Sequence, residues 1–221
     1  MGRWGVPLAQ APHMLDRLLS LPYVDVEGIM THLATADDLD DGGFFELQLE
    51  RFEGIVDHVR TRVPHVVAHA ANSAATLRSR RAHFDAVRPG VATFGLDPMQ
   101  RDPAAHGLEP VLSMRSHVAD VRLLQPGEST GYCRTWVADS PSRVAEVPLG
   151  YADGVRRSLA NRGSVLIGGV ECGIVGNVSM DHVSVLVDAS VQPGDVVTIL
   201  GRDGDTVVRA EHHARWADTI N

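Results

Sequence analysis

The chain of 221 residues is long enough for one large domain or two small ones, and its 44% hydrophobic and 22% charged content is that of an ordinary globular protein. A net charge of −8 argues against a nucleic-acid partner, and the two cysteines, outside any Cys-x-x-Cys pair, make no disulfide framework. All 20 residues of the combined Lys and Arg count are arginines, so no side chain of this sequence can form a Schiff base.

The opening stretch, MGRWGVPLAQ, lacks the long apolar core of a signal peptide, and no apolar run approaches the ~20 residues that span a bilayer. A cytoplasmic location without a membrane partner is the expectation. PHMLDRLLSL carries Met14, Leu15, Leu18, Leu19 and Leu21 at helical spacing, and VEGIMTHL (26–33) reads as a short buried strand. FFELQLERFEGIVDHVRTRV sets Phe45, Leu49, Phe52, Val56, Val59 and Val63 at steps of four and three, one face of an amphipathic helix. HVVAHA reads as strand, NSAATLRSR as a short helix opened by an asparagine or serine cap, and DAVRPG as another strand. Such alternation predicts parallel strands joined by crossover helices. The grammar changes at DPMQRDPAAHGLEP, which reads as a linker. Beyond it come short strands and turns, such as SRVAEVPLG, HVSVLVDA, GDVVTILG and SVLIGGVECGIVG with Gly168-Gly169 as a hairpin turn. The expected division is an α/β domain over residues 1–107 and an all-β domain over 108–221.

In α/β folds, ligand sites gather where strands give way to loops. Four such junctions hold polar residues: Arg3, then His32 at the end of GIMTH, then Asn72 and Ser73, and last Arg88 with Gly90 and Val91. A serine at a helix start suits a phosphate, and glycine lets the backbone approach a ligand closely. Taken alone, Ser73 reads as a plain N-cap and His32 as a core histidine; on successive strands they form a cofactor pocket. No metal site is expected. His65 and His69 of HVVAH lie in a strand-like run with no glutamate between them, and DDLDDGG lacks the alternation of a calcium loop. EHHAR reads as a surface helix whose neighbours His212 and His213 cannot share one face.

The segments MGRWGV, GIMTHLATADD, HAANSAATL, VRPGVATFGLDP, LLQPGESTGYCRTW, VPLGYADGVRR, GIVGNVSMDHVSV and ADTIN resemble, in order and spacing, the signatures of the alanine racemases, which depend on pyridoxal 5′-phosphate (PLP). Each is weak alone; together they cover essentially the whole chain. The resemblance implies a (β/α)8 barrel followed by a β domain. It also implies a homodimer in which each β domain closes its partner's active site, and interconversion of L- and D-alanine for peptidoglycan. By position, Ser73, Gly90 and Val91 match phosphate contacts, His32 a neighbour of the cofactor ring, and Arg88 the arginine facing the pyridine nitrogen. A guanidinium donates to that nitrogen without protonating it, so the ring stays a weak electron sink, and side reactions are disfavoured. Tyr132 matches the catalytic base. A phenol ordinarily ionises near pH ~10, so that role calls for arginine or histidine charge nearby. Its bland alternative is a half-buried strand aromatic. Arg3 and Met180 match contacts to substrate or a bound carboxylate, and Asp37 and Tyr151 match residues near the entrance. Asn177 stands at an entrance position where many members carry arginine.

The family's other base, the lysine that holds PLP, has no counterpart here. Both ends fall inside the resemblance, so the expectation is a C-terminal fragment: a partial barrel plus a β domain lacking its last strands, inactive and aggregation-prone by itself. Two alternatives stand beside it: a racemase of the same fold for serine or another amino acid, and a non-catalytic PLP-pocket remnant or split-gene subunit.

Overall fold

Apolar residues spaced by four and three make a helix with one oily face. In the computed structural model, which describes all residues from Met1 to Asn221, helix α2 (Phe44–Arg60) obeys that rule: Phe45, Leu49, Phe52, Val56 and Val59 are all buried. Each contributes about 1.5–3 kcal/mol of hydrophobic stabilisation. The helix begins after Gly43, whose φ of +88° suits only glycine. Asp41 satisfies the helix start, its carboxylate accepting from the N–H groups of Gly43 at 3.0 Å and Phe45 at 2.6 Å.

The chain divides into two units, Met1–Glu109 and Pro110–Asn221. In the first, α2 links parallel strands β1 (Gly28–Met30) and β2 (Val67–His69), with Gly28 opposite Val67 and Met30 opposite His69. This is the crossover that the alternation predicts. Helix α1 (Ala11–Leu19) buries Leu15 in a cluster with Val59 and Val66. Helix α3 (Ser73–Arg78) follows β2, and its Ala74 and Ala75 join the main cluster of Leu33, Phe45, Leu49, Phe52 and Ala68.

The strand expected at DAVRPG reduces to one bridge between His69 and Ala86. Phe84 turns the chain at φ +49°, and the Asp85 carboxylate, not a backbone carbonyl, accepts the Ala68 N–H at 2.7 Å. The Asp85 side chain thereby takes one of the hydrogen bonds that a regular ladder would use at Ala68. The stretch read as a linker also holds structure. Asp97 is fully buried, its Oδ1 accepting from Met99 N–H at 2.7 Å and its Oδ2 3.6 Å from both Arg101 and His106.

The second unit is all-β apart from short helical turns and one C-terminal helix. Its strands are β3 (Met114–His117), β4 (Asp120–Leu124), β5 (Ser129–Thr130), β6 (Trp136–Val137), β7 (Ser142–Val147), β8 (Ser164–Ile167), β9 (Val170–Val175), β10 (Val183–Val187), β11 (Val196–Asp203) and β12 (Thr206–Val208). One antiparallel sheet runs β12-β11-β8-β9-β10-β7-β4, with β3 also on β11; β5 and β6 pair separately. Gly168 and Gly169, at φ +58° and +79°, make the two-residue turn between β8 and β9. The core is Val118, Ala145, Val147, Val165, Ile167, Val183, Val185, Val197 and Ile199.

Helix α4 (Ala210–Ala217) is docked and not free on the surface: Glu211 and Ala214 are buried. Trp216, four residues after His212 and three after His213, lies 5.9 and 5.5 Å from the two imidazoles, so one aromatic serves both.

Candidate active site

In the α/β unit, three lateral hydrogen bonds tie the segment after β2 to the segment around Arg88. Arg88 N–H donates to the Ala71 carbonyl at 2.8 Å, the Arg88 guanidinium reaches the Ala70 carbonyl at 3.4 Å, and Gly90 N–H donates to Ser73 Oγ at 2.8 Å. Asn72, not Ser73, caps α3, its Oδ1 accepting from Ala75 N–H at 3.0 Å. That leaves the Ser73 hydroxyl for other work. Buried at 6% exposure, it accepts from Gly90 and, at 3.2 Å, from Ala92. Both of its acceptor positions are filled by N–H groups, so its own proton is left to donate. Val91 begins the helical turn Val91–Phe94 directly after Gly90, and a Cβ on Gly90 would meet nothing nearer than 3.9 Å.

Arg88 is fixed along its whole length. One guanidinium nitrogen lies 2.6 Å from His69 Nδ1; the other donates to the Thr31 carbonyl at 2.9 Å and lies 3.4 Å from His32 Nδ1. Burial pulls its pKa below the ordinary arginine value. Both histidines are held below theirs as well, first by burial and then by the Arg88 charge; for His32 the charges of Arg3 and the N-terminus add to this. Gln48 holds the His32 segment, donating to the His32 carbonyl at 2.8 Å and accepting from Ala34 N–H at 3.0 Å. The exposed Asp37 sits in a loop that Arg78 clamps by donating to the carbonyls of Thr35, Ala36 and Asp38.

Sequence reasoning missed His69, Gln48 and Arg78. For His69 a signal existed: strand alternation puts it on the face opposite buried Ala68, one strand over from the residues leading to His32. The other two looked like ordinary helix-surface residues.

In the β unit, Tyr132 stands in the turn between β5 and β6 and is 74% exposed, which removes the half-buried alternative. Asn177 Nδ2 donates to its carbonyl at 2.8 Å. Both line a cavity of about 290 Å³ with Thr130, Glu146, His182 and Ser184. Tyr151 and Met180 are brought together by their backbones: Tyr151 N–H donates to the Ser179 carbonyl at 3.0 Å and Ala152 N–H to the Met180 carbonyl at 2.9 Å. Arg3 is exposed and bears on His32 through charge alone.

A parallel strand–helix unit with hydrogen-bonded polar side chains gathered at its strand ends, followed by an antiparallel β unit presenting an exposed tyrosine, defines a class: a partial (β/α)8 barrel with a C-terminal β domain. The family model of the alanine racemase N-terminal domain matches residues 1–98, and that of the alanine racemase C-terminal domain matches residues 111–221. The chain belongs to the alanine racemase family. It is 39% identical to the alanine racemase of Geobacter sulfurreducens over 227 residues, covering 100% of this chain and 59% of that protein. With the alanine racemase of Carboxydothermus hydrogenoformans it shares 39% over 212 residues, 94% of this chain and 57% of the other. Among solved structures, alanine racemase from the D-cycloserine producer Streptomyces lavendulae superposes with a TM-score of 0.91 at 32% identity, covering 99% of this chain and 59% of that one. The enzyme from Bartonella henselae, solved with covalently bound pyridoxal phosphate, gives 0.84 at 28% identity, covering 100% and 59%. The chain thus spans about 59% of the length of the curated relatives it matches.

Proposed function

We propose that this chain carries the cofactor cradle and one proton-transferring group of a PLP-dependent alanine racemase acting on L- and D-alanine. The observation that carries this reading is the donor set around Ser73 and Arg88. A buried hydroxyl with its proton to give and a glycine whose missing Cβ leaves open space together suit a phosphate. The pinned guanidinium two residues before Gly90 suits a ring acceptor. The residues present therefore fit the group.

PLP, when bound, supplies an electron sink for the carbon bearing the substrate's amino group. Ser73, Gly90 and Val91 hold its phosphate, and His32 borders its ring. Arg88 gives the ring nitrogen a hydrogen bond and keeps its own proton. No lysine exists in these 221 residues, so this chain offers PLP no lysine side chain for a covalent link, and on this reading it does not racemise alanine by itself.

Racemisation takes a proton from one face of a carbon and returns one to the other. We assign one of these transfers to Tyr132, a phenol left exposed on the β unit. Arg3 and Met180 contact the substrate or its carboxylate, and Asp37, Tyr151 and Asn177 border the entrance. The working form is a homodimer in the cytoplasm, each β domain contributing Tyr132 to the barrel of its partner.

Equilibrium dialysis of PLP against this chain tests the reading. Ser73→Ala removes one charge-assisted hydrogen bond, worth about 1.5–3 kcal/mol, so affinity should fall roughly 10- to 100-fold. Equal affinity for both proteins would sink the cradle. Joined to the remaining length of a relative, the chain should form D-alanine from L-alanine, and Tyr132→Phe should abolish it.

A further inference from the structure

The turn that carries Tyr132 is held from behind by two asparagine side chains. Gly131 enters it at φ +74°, and Cys133 and Arg134 follow at +64° and +50°, a region that residues with a Cβ occupy only when their surroundings hold them there. The flanking strands β5 and β6 supply just two paired positions, Ser129 with Val137 and Thr130 with Trp136. The rest of the restraint comes from elsewhere. Asn177 Nδ2 donates to the Tyr132 carbonyl at 2.8 Å. Gly176 N–H donates to Asn161 Oδ1 at 2.7 Å, and Asn161 Nδ2 donates to Thr135 Oγ1 at 3.1 Å. The two backbones also touch: a Cβ on Gly131 would come 3.1 Å from the Asn177 nitrogen, and one on Gly176 2.7 Å from the Thr130 carbonyl oxygen.

We propose that Asn177 is a positioning residue for Tyr132, fixing where the phenol is presented by holding the tyrosine's own carbonyl, while Asn161 braces the far side of the turn. This rests on the reading of Tyr132 as a proton-transferring group. The Tyr132 ring is largely exposed, so its placement within the β unit comes through its backbone and not through packing of the ring. An amide suits the task because a carbonyl only accepts, and its partner must donate. The two asparagines therefore differ in what they tolerate. Asn177→Asp keeps the shape but removes the donor. Asn161→Asp keeps the acceptor for Gly176, and the Thr135 hydroxyl can turn to donate to it. A role in packing alone would treat the two isosteric changes alike.

The test has two arms. On the ¹⁵N-labelled chain, backbone order parameters at Tyr132, Cys133 and Arg134 should stay near 0.85 in the parent and in Asn161→Asp, and drop below about 0.6 in Asn177→Asp. Asn177→Ala repeats the removal without adding charge, should the aspartate unfold the β unit. A turn that stays rigid in both Asn177 variants, or that loosens equally in Asn161→Asp, overturns the proposal. In the chain joined to the remaining length of a relative, Asn177→Asp and Asn177→Ala should both lower kcat about tenfold, and Asn161→Asp should leave it within about twofold of the parent. Unchanged kcat with a loosened turn overturns it too. Tyr132→Phe in that same form separates the two claims: racemisation surviving it refutes the role of Tyr132, and the positioning role falls with it.

Discussion

Gly150→Ala should be the most damaging small substitution in the β unit. Gly150 passes so close to the chain before His182 that a Cβ there would lie 2.4 Å from the Met180 carbonyl carbon, from its oxygen and from the Ser179 oxygen. Ordinary contact begins near 3.4 Å, so the two backbones would have to part by about 1 Å. That displacement breaks the bonds from Tyr151 N–H to Ser179 and from Ala152 N–H to Met180. Two lost hydrogen bonds at about 1 kcal/mol each, with about 1–3 kcal/mol of overpacking, give a destabilisation of roughly 3–5 kcal/mol. At a urea dependence of about 1.5 kcal/mol per molar, the unfolding midpoint should fall by about 2–3 M. Tryptophan fluorescence reports this unit selectively, since Trp136 and Trp216 belong to it and Trp4 is already fully exposed. Gly173→Ala is the control: within β9, with nothing inside 4 Å, it should be neutral or stabilise by about 0.5 kcal/mol. A Gly150→Ala midpoint within about 0.3 M of the parent would refute the close backbone approach and the two hydrogen bonds that depend on it.

Stability should decline as pH falls from 7 to 5. Burial, assisted by arginine charge at His32, His69 and His212 and by the His212 charge at His213, holds these four histidines below the ordinary 6.5. The unfolded chain then takes up protons that the fold refuses: stability is full above about pH 6.5 and is lost as pH drops toward the folded values. A melting temperature that is flat or rising on acidification would contradict this. Cys133→Gly should relieve a left-handed residue at φ +64° and stabilise the β unit by about 0.5–1 kcal/mol net of glycine's entropy, read as a higher urea midpoint. A lowered midpoint would show that the thiol makes compensating contacts. Gln48→Leu leaves the Ala34 N–H and the His32 carbonyl without their partner, and should cost about 1–3 kcal/mol in helix melting of the α/β unit followed by circular dichroism.

The elements read best from sequence were those whose period is imposed by one apolar face. Helix α2 buries five of the residues that its spacing marks, Phe45, Leu49, Phe52, Val56 and Val59, because nothing else competes for that stripe. The Gly168-Gly169 turn was equally plain, since both positions need positive φ. DAVRPG misled because a carboxylate from Asp85 stands in for a strand's carbonyl, and side-chain substitutes of that kind leave no periodic trace. For Ser73, sequence narrowed the helix cap to two adjacent residues without choosing between them. Only the structure shows Asn72 taking the cap and freeing the serine. His69 went unread because the pair HVVAH was weighed as a metal motif, and its real partner, Arg88, lies 19 positions away.

The Arg88 contacts also decide where the protons sit. A guanidinium has hydrogens to give and no lone pair to offer. Whichever imidazole nitrogen faces it must be bare, so His69, and more loosely His32, are locked as the tautomer with its hydrogen on Nε2. The lock runs only one way, for an added proton would set hydrogen against hydrogen across a 2.6 Å gap. Around Arg88 the polarity is thereby fixed: the guanidinium and the Ser73 hydroxyl give, while the imidazoles spend their Nδ1 lone pairs on Arg88. Such a surface selects by hydrogen count before it selects by shape. A guest rich in lone pairs satisfies it, and one that brings its own acidic hydrogens finds nowhere to put them.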